Sequence, residues 1–447
     1  MRKAPGIVTA LIALTAMFAP AHGSSISFRD DSGRAHRWLR NPIIISLSSS
    51  LAAPPSNFKA ETDVAGALRR ALSSWESAAG IQFMETSSTV EAISPPNSGD
   101  GVNLITLSTV NAAIFRGSDA PAQTRVFYDS GGTIIEADIC LNPRVLFSTD
   151  GTPGTYDLES TFAHEIGHLL GLEHSAIIGA TMQPRQAKNG VYGFPAFIQR
   201  SLSEDDQSRV RALYSDNEAF SSISGRLTTS FSGRVRNIFG AHVFAEDVAT
   251  GRVVASSISA PSGNYRLDGL APGVYRVFGE SLNGAVPATD IGVSADVDLN
   301  ETTPLFRSFV GSTRTPSQSM NLSANSAAKL SFMVLAVRAP GLVPRMLGMN
   351  GELSTSALPL KAGQAFRIYL AGEKLDQLNE DGISISSPLI TIEANSLRTE
   401  DFGTAFPVVS FVVTVPDSVS PGDYTIRLQA PDGERAFLPG AISIEAN

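Results

Sequence analysis

Eleven residues constrain this chain more than any other segment: His164-Glu165-Ile166-Gly167-His168-Leu169-Leu170-Gly171-Leu172-Glu173-His174. The whole chain of 447 residues holds six histidines, and three of them fall here. His164 and His168 are four positions apart, so a helix sets both imidazoles on one face, one turn apart. Glu165 can point into the same cleft without being a ligand. Gly171 tolerates the positive φ of a sharp helix end, and the chain can then swing His174 back toward the other two.

Three neutral imidazoles suit a single catalytic zinc ion, because they leave its fourth position open. On this reading His164, His168 and His174 are the ligands. Zinc lowers the pKa of a bound water and polarises a scissile carbonyl. Glu165 takes the proton as general base and passes it to the leaving amine. A chance His-Glu-x-x-His on a helix is the rival reading. Gly171 and His174 at the required spacing argue against it.

The length fits two to four domains, and 43% hydrophobic against 17% charged residues fits packed globular ones. A net charge of −9 without an offsetting basic block argues against nucleic acid as the main partner. Residues 1–23 read as a secretory signal: Arg2 and Lys3, an apolar run from Gly6 to Ala19, then Ala21-His22-Gly23. The run is short for a membrane span, so the expectation is a secreted chain with no span in its mature part. A single cysteine, Cys140, excludes an internal disulfide and reads as a core residue of a strand.

Residues 24–216 mix helix and strand. Strands are expected at Ile43–Leu47, Ile81–Met84, Asn103–Ser108, Thr124–Asp129 and Thr133–Leu141, with a hairpin turn at Gly131-Gly132. Three helices are expected: Glu61–Ala79, Leu158–Leu170 and Ser203–Tyr214, the last capped by Ser203 and Asp206. After Asn217 helical periodicity gives way to alternating strands split by Gly, Pro, Asn and Asp. Residues 217–335 and 336–447 read as two all-β sandwiches.

The eleven-residue motif resembles that of the metzincin metallopeptidases, whose extended pattern ends in a methionine turn. Thr181-Met182-Gln183-Pro184 stands where that turn belongs, which makes Met182 the expected support beneath the metal. Ser175, after the third histidine, points to the matrixin branch. Trp75, Phe83, Glu136-Ala137-Asp138-Ile139 and Leu202 to Tyr214 resemble further matrixin segments, so the likeness covers about Ala35 to Tyr214. It implies an α+β catalytic domain with a twisted mixed sheet and three helices. It also implies extended protein or peptide substrates paired to an edge strand, for which Thr124–Asp129 is the candidate. The segment from Pro184 to about Phe197, with Tyr192, would shape the pocket after the cut.

The chain departs from animal matrixins in three ways. No propeptide cysteine is visible, and no histidine lies between Arg40 and Phe162 for a second, structural zinc, so one zinc is expected. Arg185-Gln186 stand where a tyrosine often follows the turn. Calcium would suit Asp150-Gly151-Thr152-Pro153-Gly154 and Asp157, with Glu136 and Asp138 nearby, but an ordinary polar turn explains the same residues equally well.

Ser224-Gly225-Arg226 through Pro272-Gly273-Val274-Tyr275 is similar to the carboxypeptidase regulatory-like, prealbumin-type sandwich, and His242 within it reads as a strand residue. Leu360-Lys361-Ala362-Gly363 and Pro421-Gly422-Asp423-Tyr424 resemble the immunoglobulin-like IPT/TIG modules. The expectation is therefore a secreted zinc metalloendopeptidase. The alternative is a surface adhesion or matrix-binding protein whose zinc domain is inactive or incidental, with the β-modules holding a surface or matrix ligand.

Overall fold

The computed structural model describes residues 35–52, 56–96, 98–215, 218–231, 234–291, 308–310, 319–334, 336–338 and 341–445. The signal segment expected over residues 1–23 lies outside them.

The N-terminal part is built on five strands: β1 (Ile43–Ser48), β2 (Phe83–Ser88), β3 (Leu104–Thr106), β4 (Ala122–Tyr128) and β5 (Ile134–Leu141). Their order across the sheet is β2-β1-β3-β5-β4. β1, β2, β3 and β5 are parallel neighbours, and β4 alone runs antiparallel, on β5. The sheet is thus mixed, and β4 is one of its two edges.

Three helices accompany it: α1 (Val64–Ala79), α2 (Leu158–Leu169) and α3 (Glu204–Tyr214). α1 was expected from Glu61. It starts at Val64 because Glu61 sits at φ 70°, outside the helical region, and Asp63 caps the helix by accepting the Gly66 N–H. Gly80, at φ 67°, ends it. α3 carries the expected capping box, with Ser203 and Asp206 each accepting from the other's backbone. The core lies between sheet and helices, where Trp75, Leu68 and Leu72 of α1 meet Phe162, Ile166 and Leu169 of α2.

β2 runs Phe83–Ser88 rather than Ile81–Met84. It pairs along the whole of β1, and its polar second half faces solvent at a sheet edge, so hydrophobic patterning does not reveal it. The Gly131-Gly132 hairpin is present. Asp129 Oδ1 accepts the N–H groups of Gly131 (2.8 Å) and Thr133 (2.9 Å), and Gly132 adopts φ 84°.

Two β-sandwiches follow. In the first, a sheet of Val253–Ile258, Ala241–Asp247, Gly273–Ser281 and Met320–Leu322 faces one built on Ser221–Phe231 and Asn264–Leu270. Ile223, Val243, Leu267 and Val277 fill the space between. In the second, Val343–Met349, Gln364–Glu373 and Val408–Val415 face Gly422–Gln429 and Arg435–Ile444. Ala336–Arg338, expected to open that last module, instead pairs with Ser308–Val310.

The three units touch closely. α3 packs on the strands Val253–Ile258 and Asn264–Leu270. Arg427 of the last sandwich pairs with buried Glu246 of the first. The Ile178 N–H, in the loop after His174, donates to the Pro439 carbonyl at 2.9 Å. Among the described residues, no helix is long and apolar enough to cross a membrane.

Candidate metal centre

α2 is fixed at both ends. Asp157 caps its start, accepting the Ser160 N–H at 2.8 Å, and is itself paired with Arg200 at 2.6 Å. At the other end, two side chains take carbonyls that a helix terminus leaves unpaired: the Trp38 indole donates to Leu169 (2.9 Å) and the Tyr214 hydroxyl to Leu170 (2.8 Å), while the Trp75 indole donates to Ala163 in mid-helix (2.8 Å). Gly171 then turns the chain at φ 90°, where a Cβ would lie 2.4 Å from the His36 carbonyl oxygen. Both its conformation and its closeness to backbone call for glycine.

That turn brings the three histidines together. The Nε2 atoms of His164 and His168 lie 3.1 Å apart. The His174 ring centroid is 5.3 Å from that of His164 and 4.9 Å from that of His168. One nitrogen from each ring lies within 4.8 Å of the other two. The outward nitrogens meet backbone carbonyls: His164 Nδ1 lies 2.8 Å from Thr181 O, and His168 Nδ1 lies 2.8 Å from Leu172 O. A ring that donates Nδ1–H outward presents the Nε2 lone pair inward.

The set suits a zinc ion on its own chemistry. Burial, reinforced by His164, presses the His168 imidazole down to about 3. Burial and the two neighbouring rings lower His174 in the same direction. His168 and His174 are therefore held as neutral donors, as a zinc site needs. Among the described residues, this is the group of His, Cys, Asp or Glu side chains close enough to share one ion.

Met182 lies fully buried beneath the helix. A Cβ on Gly167 would come within 2.2 Å of its sulfur, so the glycine inside the motif makes room for the methionine. The loop between His174 and Met182 is tied shut by Ser175 N–H on Met182 O at 2.8 Å. It is held from below by α3. Asp206 accepts the N–H groups of Thr181 (2.8 Å) and Met182 (3.2 Å), and Asp205 accepts the Ser175 hydroxyl at 2.6 Å.

Glu165 is buried beside the histidines. Burial raises its carboxyl, opposed by His164 and by the hydroxyl of Thr124, which donates to Oε2. Thr124 belongs to β4, the sheet edge expected to meet substrate.

The structure brings together the three histidines, Glu165 and Met182 that the sequence singles out, with β4 at the sheet edge beside them. Sequence reasoning missed the tie from Thr124 to Glu165 and the grip of Asp205 and Asp206 on the loop. Two adjacent acids in the first turn of α3 were a visible signal for the second of these.

Other candidates fall elsewhere. Tyr192 sits at φ 59° and is taken up by the last sandwich, its hydroxyl donating to Ser356 O (2.9 Å) and Leu347 O (3.2 Å). It borders a cavity of about 40 Å³ together with Ile178, Arg185, Phe194 and Ala357. The acids considered for calcium meet protein donors: Asp150 pairs with Lys59, Asp157 with Arg200, Glu136 accepts the Gly101 N–H, and Asp138 those of Ser94 and Leu104. His242 is a buried strand residue bonded to Glu280 at 2.8 Å. Cys140 is buried on β5, and desolvation pushes its thiol up to about 12.

A helix with two histidines, a glycine turn, a third histidine and a methionine floor define a metzincin-type centre on a mixed sheet. Residues 106–215 match the family model Peptidase_M10, described as Matrixin, so the resemblance to matrixins holds over this part of the chain. The chain is 30% identical over 192 residues to Metalloendoproteinase 4-MMP of Arabidopsis thaliana, covering 41% of this chain and 49% of that one. It is 28% identical over 184 residues to Matrix metalloproteinase-20 of Homo sapiens, covering 41% and 33%. The match therefore spans half or less of each relative. Among solved structures, BcpA, the major pilin subunit of Bacillus cereus, aligns at 14% identity over 49% of this chain and 66% of that one. Its TM-score of 0.15 is too low to inform the fold.

Proposed function

We propose that the chain is an exported zinc-dependent endopeptidase that cuts extended protein segments laid along β4. The observation that carries this reading is the convergence of three imidazoles, one nitrogen from each within 4.8 Å of the others, beside the buried Glu165 carboxyl. His164, His168 and His174 would hold one zinc ion, with Met182 as their floor. When bound, zinc supplies Lewis acidity and makes water a nucleophile near neutral pH.

The remaining chemistry belongs to the chain. A Glu165 carboxylate oxygen accepts the proton of the attacking water and delivers it to the leaving amine. Its buried setting, which raises its proton affinity, suits both halves of that transfer. Thr124, bonded to Oε2, fixes the direction of the carboxylate. Among the described residues no strand pairs with the outer edge of β4, whose N–H and C=O groups would be offered to a substrate backbone, as in strand addition. The motif and the carbonyl partners of the rings support the metal assignment. The sequence of residues 1–23 supports export. The two sandwiches would be accessory modules over about residues 217–335 and 336–447.

The test is cleavage of unfolded casein or gelatin by the purified chain, with zinc content measured alongside. About one zinc per chain and chelator-sensitive cleavage, abolished in Glu165→Ala, is the expected result. A folded protein with neither zinc nor cleavage would overturn the reading in favour of an adhesion or matrix-binding role.

A further inference from the structure

A cavity of about 540 Å³ lies where the histidine-bearing domain meets the first sandwich. Ser208 and Arg209 of α3 form one side of it. The strands Ser221–Phe231, Val253–Ile258 and Asn264–Leu270 contribute the other. Its size is that of a small-molecule site. No residue of the metal centre lines it.

Its charge is out of keeping with the chain. The protein carries a net charge of −9, yet Arg209, Arg226, Arg266 and Lys329 line this cavity against one carboxylate, Asp268. Charges of one sign converging on a cleft raise the local concentration of counter-ions, here anions. Arg226, Arg266 and Lys329 are exposed and form the rim. Two of them are already anchored. Arg226 donates to Asn237 Oδ1 at 2.6 Å and to Ser262 O at 3.0 Å. Arg266 donates to Asp268 Oδ1 at 2.6 Å and to Ser222 Oγ at 3.2 Å. A guanidinium held in this way loses little freedom on meeting an anion.

The buried side is short of partners. Arg209 is 8% exposed, and its Nη2 donates to Glu173 O at 2.9 Å. Its Nη1 makes no hydrogen bond and stands 3.9 Å from Asp205. The Ser256 hydroxyl, on a residue 5% exposed, also has no hydrogen-bond partner. Buried polar groups left unpaired cost stability. Ser224, Ser257 and Ser331 bring further hydroxyl-bearing side chains to the same cavity.

We propose that this cavity binds a sugar acid, with its carboxylate at the arginines and its ring hydroxyls at the serines. A carboxylate matches the planar fork of arginine, and a hydroxylated ring both donates to serines and accepts from them. A carboxylate on a plain carbon chain would leave the serines unused. Because the cavity has walls from two modules, the ligand also resists their separation and stabilises the folded chain. A free sugar acid and a unit of an acidic polysaccharide present the same chemistry.

The experiment is calorimetric titration of the full chain. The probes are glucuronate, a short oligogalacturonate, glucose (no charge) and glutarate (no ring hydroxyls). At least one of the two acidic sugars should bind at least about 10-fold more tightly than glucose or glutarate, and more weakly as salt is raised. Binding of the single sugar marks a free sugar acid as the ligand, and binding of the oligomer alone marks a polysaccharide. Arg226→Gln and Lys329→Gln sit at exposed positions, so the fold should survive them, and each should weaken binding about 10-fold. The bound sugar should raise the unfolding temperature. Glucose binding as well as glucuronate would overturn the proposal. So would glutarate matching it, since the cavity would then take any carboxylate, peptide ends included. Unchanged affinity in both rim variants would place the ligand elsewhere, and a folded chain that binds neither acidic sugar would also sink the idea.

Discussion

The hydroxyl of Thr124 reaches from the edge strand to the carboxylate of Glu165 and also lies 3.2 Å from the Glu165 carbonyl oxygen. The strand that would hold substrate and the residue that would move the proton are therefore joined by one side chain. On the proposed function, that side chain would keep a substrate on β4 and the carboxyl on α2 in register.

Thr124→Val keeps the shape of the side chain and removes the donor. A hydrogen bond to a charged group contributes about 1.5–3 kcal/mol. The expected outcome is a kcat lowered at least about 10-fold, with zinc content unchanged. Steady-state kinetics with metal analysis would check it, and an unaltered kcat would show that Glu165 is oriented by other means.

Asp206→Ala should be among the most damaging single changes in the domain. Its carboxylate satisfies the N–H groups of Thr181, Met182 and Ser203 and the Ser203 hydroxyl. Each buried donor left without an acceptor costs about 1–3 kcal/mol. Urea unfolding should show a loss of at least about 3 kcal/mol, together with weaker zinc retention. A change below about 1 kcal/mol would mean that water replaces the carboxylate.

Gly171→Ala tests the turn itself. The new Cβ would be 2.4 Å from a backbone oxygen, so the His36 segment or the turn must move. Left-handed backbone without glycine costs about 1–2 kcal/mol before that overlap is counted. Thermal unfolding should fall and zinc affinity should drop with it, since His174 follows the turn. Wild-type affinity would show that the third histidine does not depend on the turn.

A pH dependence is expected from Asp423. Burial pushes its carboxyl up to about 7, with Asp206, Asp205 and Glu204 adding and the Ser443 hydroxyl opposing. Arg252 lies 3.6 Å from Glu204 in the same junction. Between an unfolded value of 3.8 and a folded value of about 7, the folded chain keeps the proton and the unfolded chain has lost it. Stability should fall as pH rises through that window and level off above it. Asp423→Asn should remove this component, so that the variant gains on wild type up to about pH 7 and matches it near pH 4. Unfolding curves that stay parallel across the window would contradict this.

What the sequence disclosed was chemistry with a short-range signature. Histidine spacing, Gly171, the Ser203–Asp206 cap and the buried face of α1 all follow from helix period and capping rules. What it concealed depends on residues far apart in the chain. Tyr192 looked like a pocket residue in a loop, yet its hydroxyl is bonded in the last sandwich. Arg185 looked like a departure from a family pattern, yet it pairs with Asp290. The strand β2 was displaced because its outer half is polar at a sheet edge, where pairing rather than burial sets its extent. Such contacts carry no periodicity, and only the packed arrangement of modules brings them together.

The bond from Ile178 to Pro439 has a consequence for the order of events in making this protein. The histidine helix leaves the ribosome long before the strand Arg435–Ile444 that braces the loop behind it. Domains made earlier tend to fold first. A nascent chain would thus carry all three histidines while the loop joining His174 to Met182 still lacked its outer brace. Full rigidity of the metal site arrives only with the last sandwich, and the delay gives the cell that makes this protein an interval before the finished site is in its hands.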